Sequence, residues 1–301
     1  MKYYVCIDIG GTSIKHGVID QNAEIVTRGE MSTEALEKGG PGIIEKAKKI
    51  VIEYSQSYQL EGICISTAGM VDYMKGVISH SSPLIPNYTG MPIKEIMESE
   101  FHIPCEVEND VNCAGLAESI SGAGKEYNIC LCLTIGTGIG GCIVVNQQVY
   151  HGFSNSACEV GYMQMDGDEF QNQGSSRVLV SKVEEKKGVD HGCLNGKIIF
   201  EEALKGDKDC ICAIDEMVEA IGKGIANICY VVNPEVVILG GGIMSQKDYL
   251  QSKIRMAMER YLIPAISKNT ILSFAKHKNN AGMLGAFYHY QNLRGGKNEI
   301  L

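Results

Sequence analysis

Three glycine-rich turns, each closing an apolar run, set the strongest limit on how this chain can fold. They lie at Gly10-Gly11, at Gly136 to Gly141 and at Gly240-Gly241-Gly242. The runs before them, Tyr3 to Ile9, Ile129 to Ile135 and Val236 to Leu239, read as strands. Glycine there permits a sharp turn and lets backbone N–H groups approach a phosphate with no Cβ in the way. Taken singly, each is equally an ordinary tight turn. The first two share a setting: Ile9-Gly10-Gly11-Thr12 and Ile135-Gly136-Thr137-Gly138 each sit between two strands of an antiparallel meander. The first meander runs on through Ile14 to Ile19 and Glu24 to Glu30. The second runs on through Cys142 to Asn146, with a turn at Gln147-Gln148. This echo points to an internal duplication, two related α/β domains with the second opening near residue 120. The expected division is 1–118 together with a C-terminal helix 286–301, against 119–285.

Between the turns the pattern alternates. Helical spacing covers 40–59, through Ile43, Ile44, Ala47, Ile50, Val51 and Tyr54. Ile63 to Thr67 and Glu106 to Glu108 are short strands. Ile93 to Phe101, with Pro92 at its start, and Asn112 to Ser121 are helices. Further helices are expected over 207–230, 245–261 and 281–293, with a frayed tail at 294–301. No linker or low-complexity stretch interrupts the chain, so the two halves are expected to pack closely.

A length of 301 residues suits two domains. With 27 Lys and Arg against 36 Asp and Glu, the net charge is −9. An acidic chain without a basic block is a poor fit for nucleic acid or an anionic membrane. No apolar run approaches membrane-spanning length and no signal-peptide pattern is present. The 12 cysteines sit mostly inside apolar runs, as at Cys6, Cys64, Cys130 and Cys142, which reads as reduced buried thiols and a cytoplasmic location.

Gly136-x-Gly138-x-x-Gly141 has the spacing of a dinucleotide fingerprint, but that motif requires a following helix, and Cys142-Ile143-Val144-Val145 is strand. No Walker A spacing exists at the first turn. Only the third turn has strand, glycines and then helix, which suits a flat adenosine group against bare backbone.

Asp8-Ile9-Gly10-Gly11-Thr12-Ser13-Ile14-Lys15 resembles the DxGGTxxK phosphate loop of the ROK sugar kinases, in the actin/hexokinase/Hsp70 ATPase superfamily. Glu108-Asn109-Asp110-Val111-Asn112 resembles that family's ENDxN catalytic segment. Leu133 to Gly141 resembles its second phosphate loop, Asn233-Pro234 through Gly242 its adenosine motif, and Glu159-Val160-Gly161-Tyr162 its ExGH segment. The texture is most similar to firmicute-type β-glucoside kinases. The resemblance implies an α/β, two-domain actin-like ATPase fold (ribonuclease H-like), with ATP bound across an interdomain cleft. It also implies Mg²⁺ and a small-molecule sugar, with a homodimer as a family expectation.

Roles follow from the same resemblance. Asp8 would hold Mg²⁺ through water. Gly10, Gly11 and Thr12 would bind phosphates, with Lys15 as the first cation nearby. Thr137 and Gly138 would bind phosphates from the second domain, and Gly241 and Gly242 would lie against adenosine. Asp110 is the general base, since a sugar hydroxyl is a poor nucleophile until a carboxylate within reach takes its proton. Asn109 would fix an adjacent sugar hydroxyl and Glu159 would accept two. Gly69, in a loop resembling PGxVD with Ala68 for the proline, and Asn87 are further sugar contacts.

The chain departs from the family at its structural zinc. The histidine of ExGH is Tyr162 here, and Gln164 to Ser176 contains no cysteine, so no zinc site is expected. Cys130-x-Cys132 and Cys210-x-Cys212 are lone pairs. Tyr162 retains a phenol, and Gln171 falls near the position of a sugar-binding glutamate. A remodelled sugar site fits a β-glucoside or glucose-type hexose; N-acetylmannosamine, fructose and allose are alternatives. His151, His191 and His289 read as isolated structural or surface residues. A DNA-binding ROK repressor would need a helix-turn-helix before the first motif, yet Asp8 lies only seven residues after the start. A non-catalytic sugar sensor conflicts with the intact Asp8, Asp110 and phosphate-loop set. A chaperone of the Hsp70 type would need a further peptide-binding domain.

Overall fold

The computed structural model describes residues 1–295. Its principal elements, in chain order, are β1 (Tyr3–Ile9), β2 (Ser13–Asp20), β3 (Ile25–Ser32), α1 (Ala35–Ser55), β4 (Leu60–Thr67), α2 (Ile93–Phe101), β5 (Cys105–Asn109) and α3 (Asp110–Ser121). These are followed by β6 (Ile129–Ile135), β7 (Ile139–Val145), α4 (Ser176–Lys187), α5 (Gly196–Leu204), α6 (Lys208–Val232), β8 (Val236–Gly240), α7 (Lys247–Tyr261), β9 (Ile271–Phe274) and α8 (Ala281–Arg294). No helix among the described residues is long and apolar enough to cross a membrane.

The chain forms two compact units. Among the described residues the first comprises 1–121, 147–157 and 279–295; the second comprises 122–146 and 158–278. The sequence pattern puts 147–157 with the second half, whereas this segment packs with the first. The last helix, Ala281–Arg294, matches the helical pattern over 281–293 and begins ahead of the 286 used in the domain division. The rest of the expected tail, 296–301, lies outside the described residues.

In the first unit the strands run in the order β3-β2-β1-β4-β5, an antiparallel meander extended by two parallel strands. Strand alternation sorts β1 between two faces. Val5, Ile7 and Ile9 pack with Ile43, Ala47 and Ile50 of α1. Tyr4 and Cys6 pack with Cys113 of α3 and with Met283, Phe287 and Tyr290 of α8. Burial of a side chain such as Phe287, 2% exposed, contributes roughly 1.5–3 kcal/mol. In the second unit the order is β7-β6-β8-β9, again a hairpin whose first strand is extended by parallel neighbours. The repeated order gives the expected duplication its structural form.

Local differences have local causes. Gly39 adopts φ +57 and interrupts α1 near its start, so the regular helix restarts at Gly40-Pro41; the helix ends at Ser55, where the pattern runs to 59. Strand β7 begins at Ile139 because Gly136 N–H bonds the Gly138 carbonyl at 2.9 Å, closing a turn short enough for Ile135 to pair directly with Ile139. The helices α4 and α5, which the patterning does not announce, wall a pocket of the second unit.

Helix α8 lies unusually close to α3, since a Cβ at Gly285 would collide with the Cys113 carbonyl. Replacing Gly285 with Ala is expected to cost about 1–3 kcal/mol, the usual penalty for overpacking. Equilibrium denaturation of the variant against the parent measures it.

Candidate active site

The site in the first unit begins as a register. Across the sheet Lys15 pairs with Asp8, Asp8 with Ser66, and Ser66 with Glu108. Paired residues share a face, so four polar side chains form one row on the side covered by α3 and α8. Ser66 donates its hydroxyl to Asp8 Oδ1 at 2.6 Å. A Cβ at Gly282, in the first turn of α8, would overlap the Asp8 carboxylate. Sequence reasoning missed Gly282: its only signal was a glycine near the start of a helix.

Asp8 keeps some solvent contact, yet its carboxylate is hemmed in closely enough that desolvation raises its pKa. The Ser66 hydroxyl and the Lys15 charge pull the other way without prevailing. The charged form therefore costs stability that returns as pH falls and the group protonates. A hard divalent cation would compensate this oxygen donor, so the residue fits the expected Mg²⁺. The backbone of Gly10 to Thr12 forms the adjoining turn, closed by Gly10 N–H to the Ser13 carbonyl at 3.0 Å. Gly11 and Thr12 are exposed there.

Asn109 and Asp110 stand where β5 becomes α3. The Asn109 Oδ1 accepts the N–H groups of Val111 at 2.9 Å and Asn112 at 3.0 Å, which caps the helix. Its Nδ2 donates to the Gly69 carbonyl at 2.9 Å and to Asp110 Oδ1 at 3.1 Å. Every hydrogen-bonding position of this side chain is thus engaged. Asn109 orients Asp110, and a sugar hydroxyl would have to displace one of these bonds. Gly69 is brought to the same place in a positive-φ turn, φ +101, with no room for a side chain against the His80 carbonyl. Asp110 also raises the pKa of the buried Tyr88 hydroxyl, secondary to burial itself. Asn87, beside Tyr88, is exposed with φ +56.

Glu108 is fully buried. Its Oε1 accepts the Asn109 N–H at 2.6 Å and Asn112 Nδ2 at 3.1 Å. Its Oε2 lies 2.5 Å from His151 Nε2 and 3.4 Å from His289 Nδ1. Burial alone would raise this carboxyl, but the His151 hydrogen bond, the two imidazoles and Asn112 outweigh it and hold the pKa below its ordinary value. That stability is present above the unfolded pKa and is lost as pH falls through the folded one. His151 and His289 are therefore not isolated, correcting the reading from sequence. His191, the third, is exposed beside Glu184.

In the second unit Thr137 and Gly242 line a pocket of about 1060 Å³ with Arg177, Leu194, Asn195 and Ile243. Gly241 has φ +101 and would clash with the Ile135 carbonyl if it carried a Cβ, while Gly242 faces open space. The N–H and hydroxyl of Ser176 reach the Gly136 carbonyl at 2.9 and 2.6 Å, and Arg177 Nε lies 3.4 Å from the Thr137 carbonyl. Glu184 accepts the N–H groups of Gly192 and Leu194, both at 2.9 Å, and so holds the pocket's loop wall. Arg177 and Glu184 lie outside any motif recognised in the sequence. Gln171 packs its amide on Gly138 and Gly161, joining the Gly136–Gly138 turn to the segment after Glu159. Glu159 precedes a single 3₁₀ turn, Val160–Tyr162, and Tyr162 is 54% exposed.

The family model for ROK matches residues 4–292. The chain belongs to the ROK family. A Clostridium perfringens protein is 46% identical over 291 residues, 97% of this chain and 98% of its own. The β-glucoside kinase of Listeria monocytogenes is 33% identical, over 94% of this chain and 95% of its own. Among solved structures, a ROK family glucokinase from Streptomyces griseus in complex with glucose and AMPPNP superposes with a TM-score of 0.82 at 26% identity. It matches 94% of this chain and 97% of its own. The fold is the α/β actin-like ATPase fold of ROK sugar kinases.

Because burial disfavours the charged form of Asp8, Asp8→Asn is expected to raise Tm while lowering Mg²⁺-dependent turnover. A rise of about 1–3 °C is expected, since 1 kcal/mol moves Tm by ~2–4 °C in proteins near this size. Thermal unfolding and ADP release on the same preparation test both halves.

Proposed function

We propose that this sugar kinase transfers the terminal phosphoryl group of ATP to the primary 6-hydroxyl of a β-glucoside or glucose-type hexose, with Asp110 as general base. The observation that carries the reading is the Asn109–Asp110 turn. Asn109 spends its whole side chain on the helix cap, the Gly69 carbonyl and Asp110. A carboxylate fixed by a helix terminus and a neighbouring amide is preorganised to accept a proton. Asp8 fits the Mg²⁺, which neutralises phosphate charge when bound. Gly10, Gly11, Thr12 and Lys15 would bind phosphates, as would Thr137 and Gly138. Gly241 and Gly242 would receive the adenosine. Glu159, Tyr162, Gly69 and Asn87 would contact sugar.

The β-glucoside assignment draws support from the Listeria kinase and from the exposed Tyr162 in place of a histidine. N-acetylmannosamine, fructose and allose belong to the same reaction class. Specificity among them rests on a few hydrogen bonds, each able to decide between epimers.

The test is a coupled ADP-release assay with Mg²⁺-ATP against glucose, mannose, fructose, allose, N-acetylmannosamine, cellobiose and aryl β-glucosides. Turnover on a glucoside or glucose is expected, and Asp110→Asn should lower kcat by about 10²–10⁴-fold. Turnover that survives Asp110→Asn would remove Asp110 as base. Sugar binding without turnover would favour a sensor.

A further inference from the structure

We propose that His151 is a positioning residue for the catalytic turn, acting through Glu108 on Asn109 and Asp110. The inference rests on the reading of Asp110 as the base and goes beyond it, since no motif includes His151.

Four bonds define the chain of contacts. The Nε2 of His151 lies 2.5 Å from Glu108 Oε2, so the ring in its Nε2–H form donates to that oxygen. The other carboxylate oxygen accepts the Asn109 backbone N–H at 2.6 Å. The Asn109 amide reaches Asp110 Oδ1 at 3.1 Å and the Gly69 carbonyl at 2.9 Å. The His151 ring is itself held: Tyr73 stacks on it with centroids 3.7 Å apart and planes 13° from parallel. Residues Tyr73, Glu108 and His151 come from three separate stretches of chain and meet only here.

Energetics favour a directional role over simple packing. A fully buried carboxylate is costly unless its lone pairs are filled. Glu108 receives donors on both oxygens, and His151 supplies the short contact to Oε2. His289 lies farther from that oxygen at 3.4 Å, and its own Nε2 has no hydrogen-bond partner among the described residues. Without the His151 donor, Glu108 would have to rotate or take up water to satisfy Oε2. Either movement shifts Oε1 and with it the Asn109 amide. A displacement of about 1 Å at a reacting group can cost on the order of 10²-fold in rate. The segment carrying His151, Gln147–Ala157, packs in the first unit while the chain on both sides of it belongs to the second. One imidazole therefore ties this segment to the catalytic turn.

Three variants and two readouts test the proposal. His151→Ala removes the donor; His151→Gln keeps an N–H at similar reach; Asp110→Asn controls for the base. Kinetics are taken on the best sugar of the panel, well below each variant's Tm. The expected result is a fall in kcat of about 10–100-fold for His151→Ala, an unchanged KM for ATP and recovery of most of the rate in His151→Gln. In parallel, backbone hydrogen exchange is followed without substrate. Amides of Asn109, Val111 and Asn112 should exchange faster in His151→Ala, with α1 unaffected. Wild-type kcat in His151→Ala, equal losses in both His151 variants, or unchanged exchange over 109–112 would overturn the proposal. Retained turnover in Asp110→Asn would instead overturn the base assignment, and the exchange result stands apart from that outcome.

Discussion

The first unit depends on keeping two carboxylates, Asp8 and Glu108, under a helix without leaving either unpartnered. They lie in one row with Ser66 between them, because three parallel strands hold Asp8, Ser66 and Glu108 in register. Helix α8 covers that row with one face. Gly282, Gly285 and His289 follow the i, i+3, i+7 spacing of a single helical stripe. The two glycines allow close approach, to Asp8 and to the α3 backbone, and the histidine reaches Glu108. The helix packs as a lid made partly of missing side chains.

The two carboxylates are treated oppositely. Glu108 is surrounded by donors and held ionised, so it acts as a structural anchor. Asp8 has one hydroxyl and a lysine across the hairpin, and remains undercompensated. An undercompensated carboxylate is suited to receive a cation that arrives with the nucleotide, whereas a saturated one is not. The same sheet order in the second unit supplies a different use. There the turns at Thr137 and Gly242 open onto a pocket walled by α4 and α5, with no buried carboxylate pair in the strands beneath.

Much of this was legible before any coordinates. The bounds of β1, α2 and β6 coincide with their apolar patterns, and β4, β5 and β8 fall within a few residues of theirs. Segment 147–157 was not legible, because a short irregular stretch carries no periodicity and is placed by partners remote in sequence. His151 and His289 looked isolated for the same reason: their common partner, Glu108, is 43 and 181 residues away. Asn109 stood out in the sequence within a motif, but its use as helix cap and orienter of Asp110 appears only when the hydrogen bonds are traced.

The sequence by itself determined the alternation of strands and helices, the duplicated meander, the three glycine turns and the motifs that mark the family. These depend on local periodicity and on what glycine and carboxylate can do wherever they stand. Only the tertiary structure decided which groups surround each carboxylate, and therefore which one is saturated with donors and which one is not. Desolvation and hydrogen bonding are set by neighbours within a few ångströms, and those neighbours come from stretches of chain that no local pattern connects.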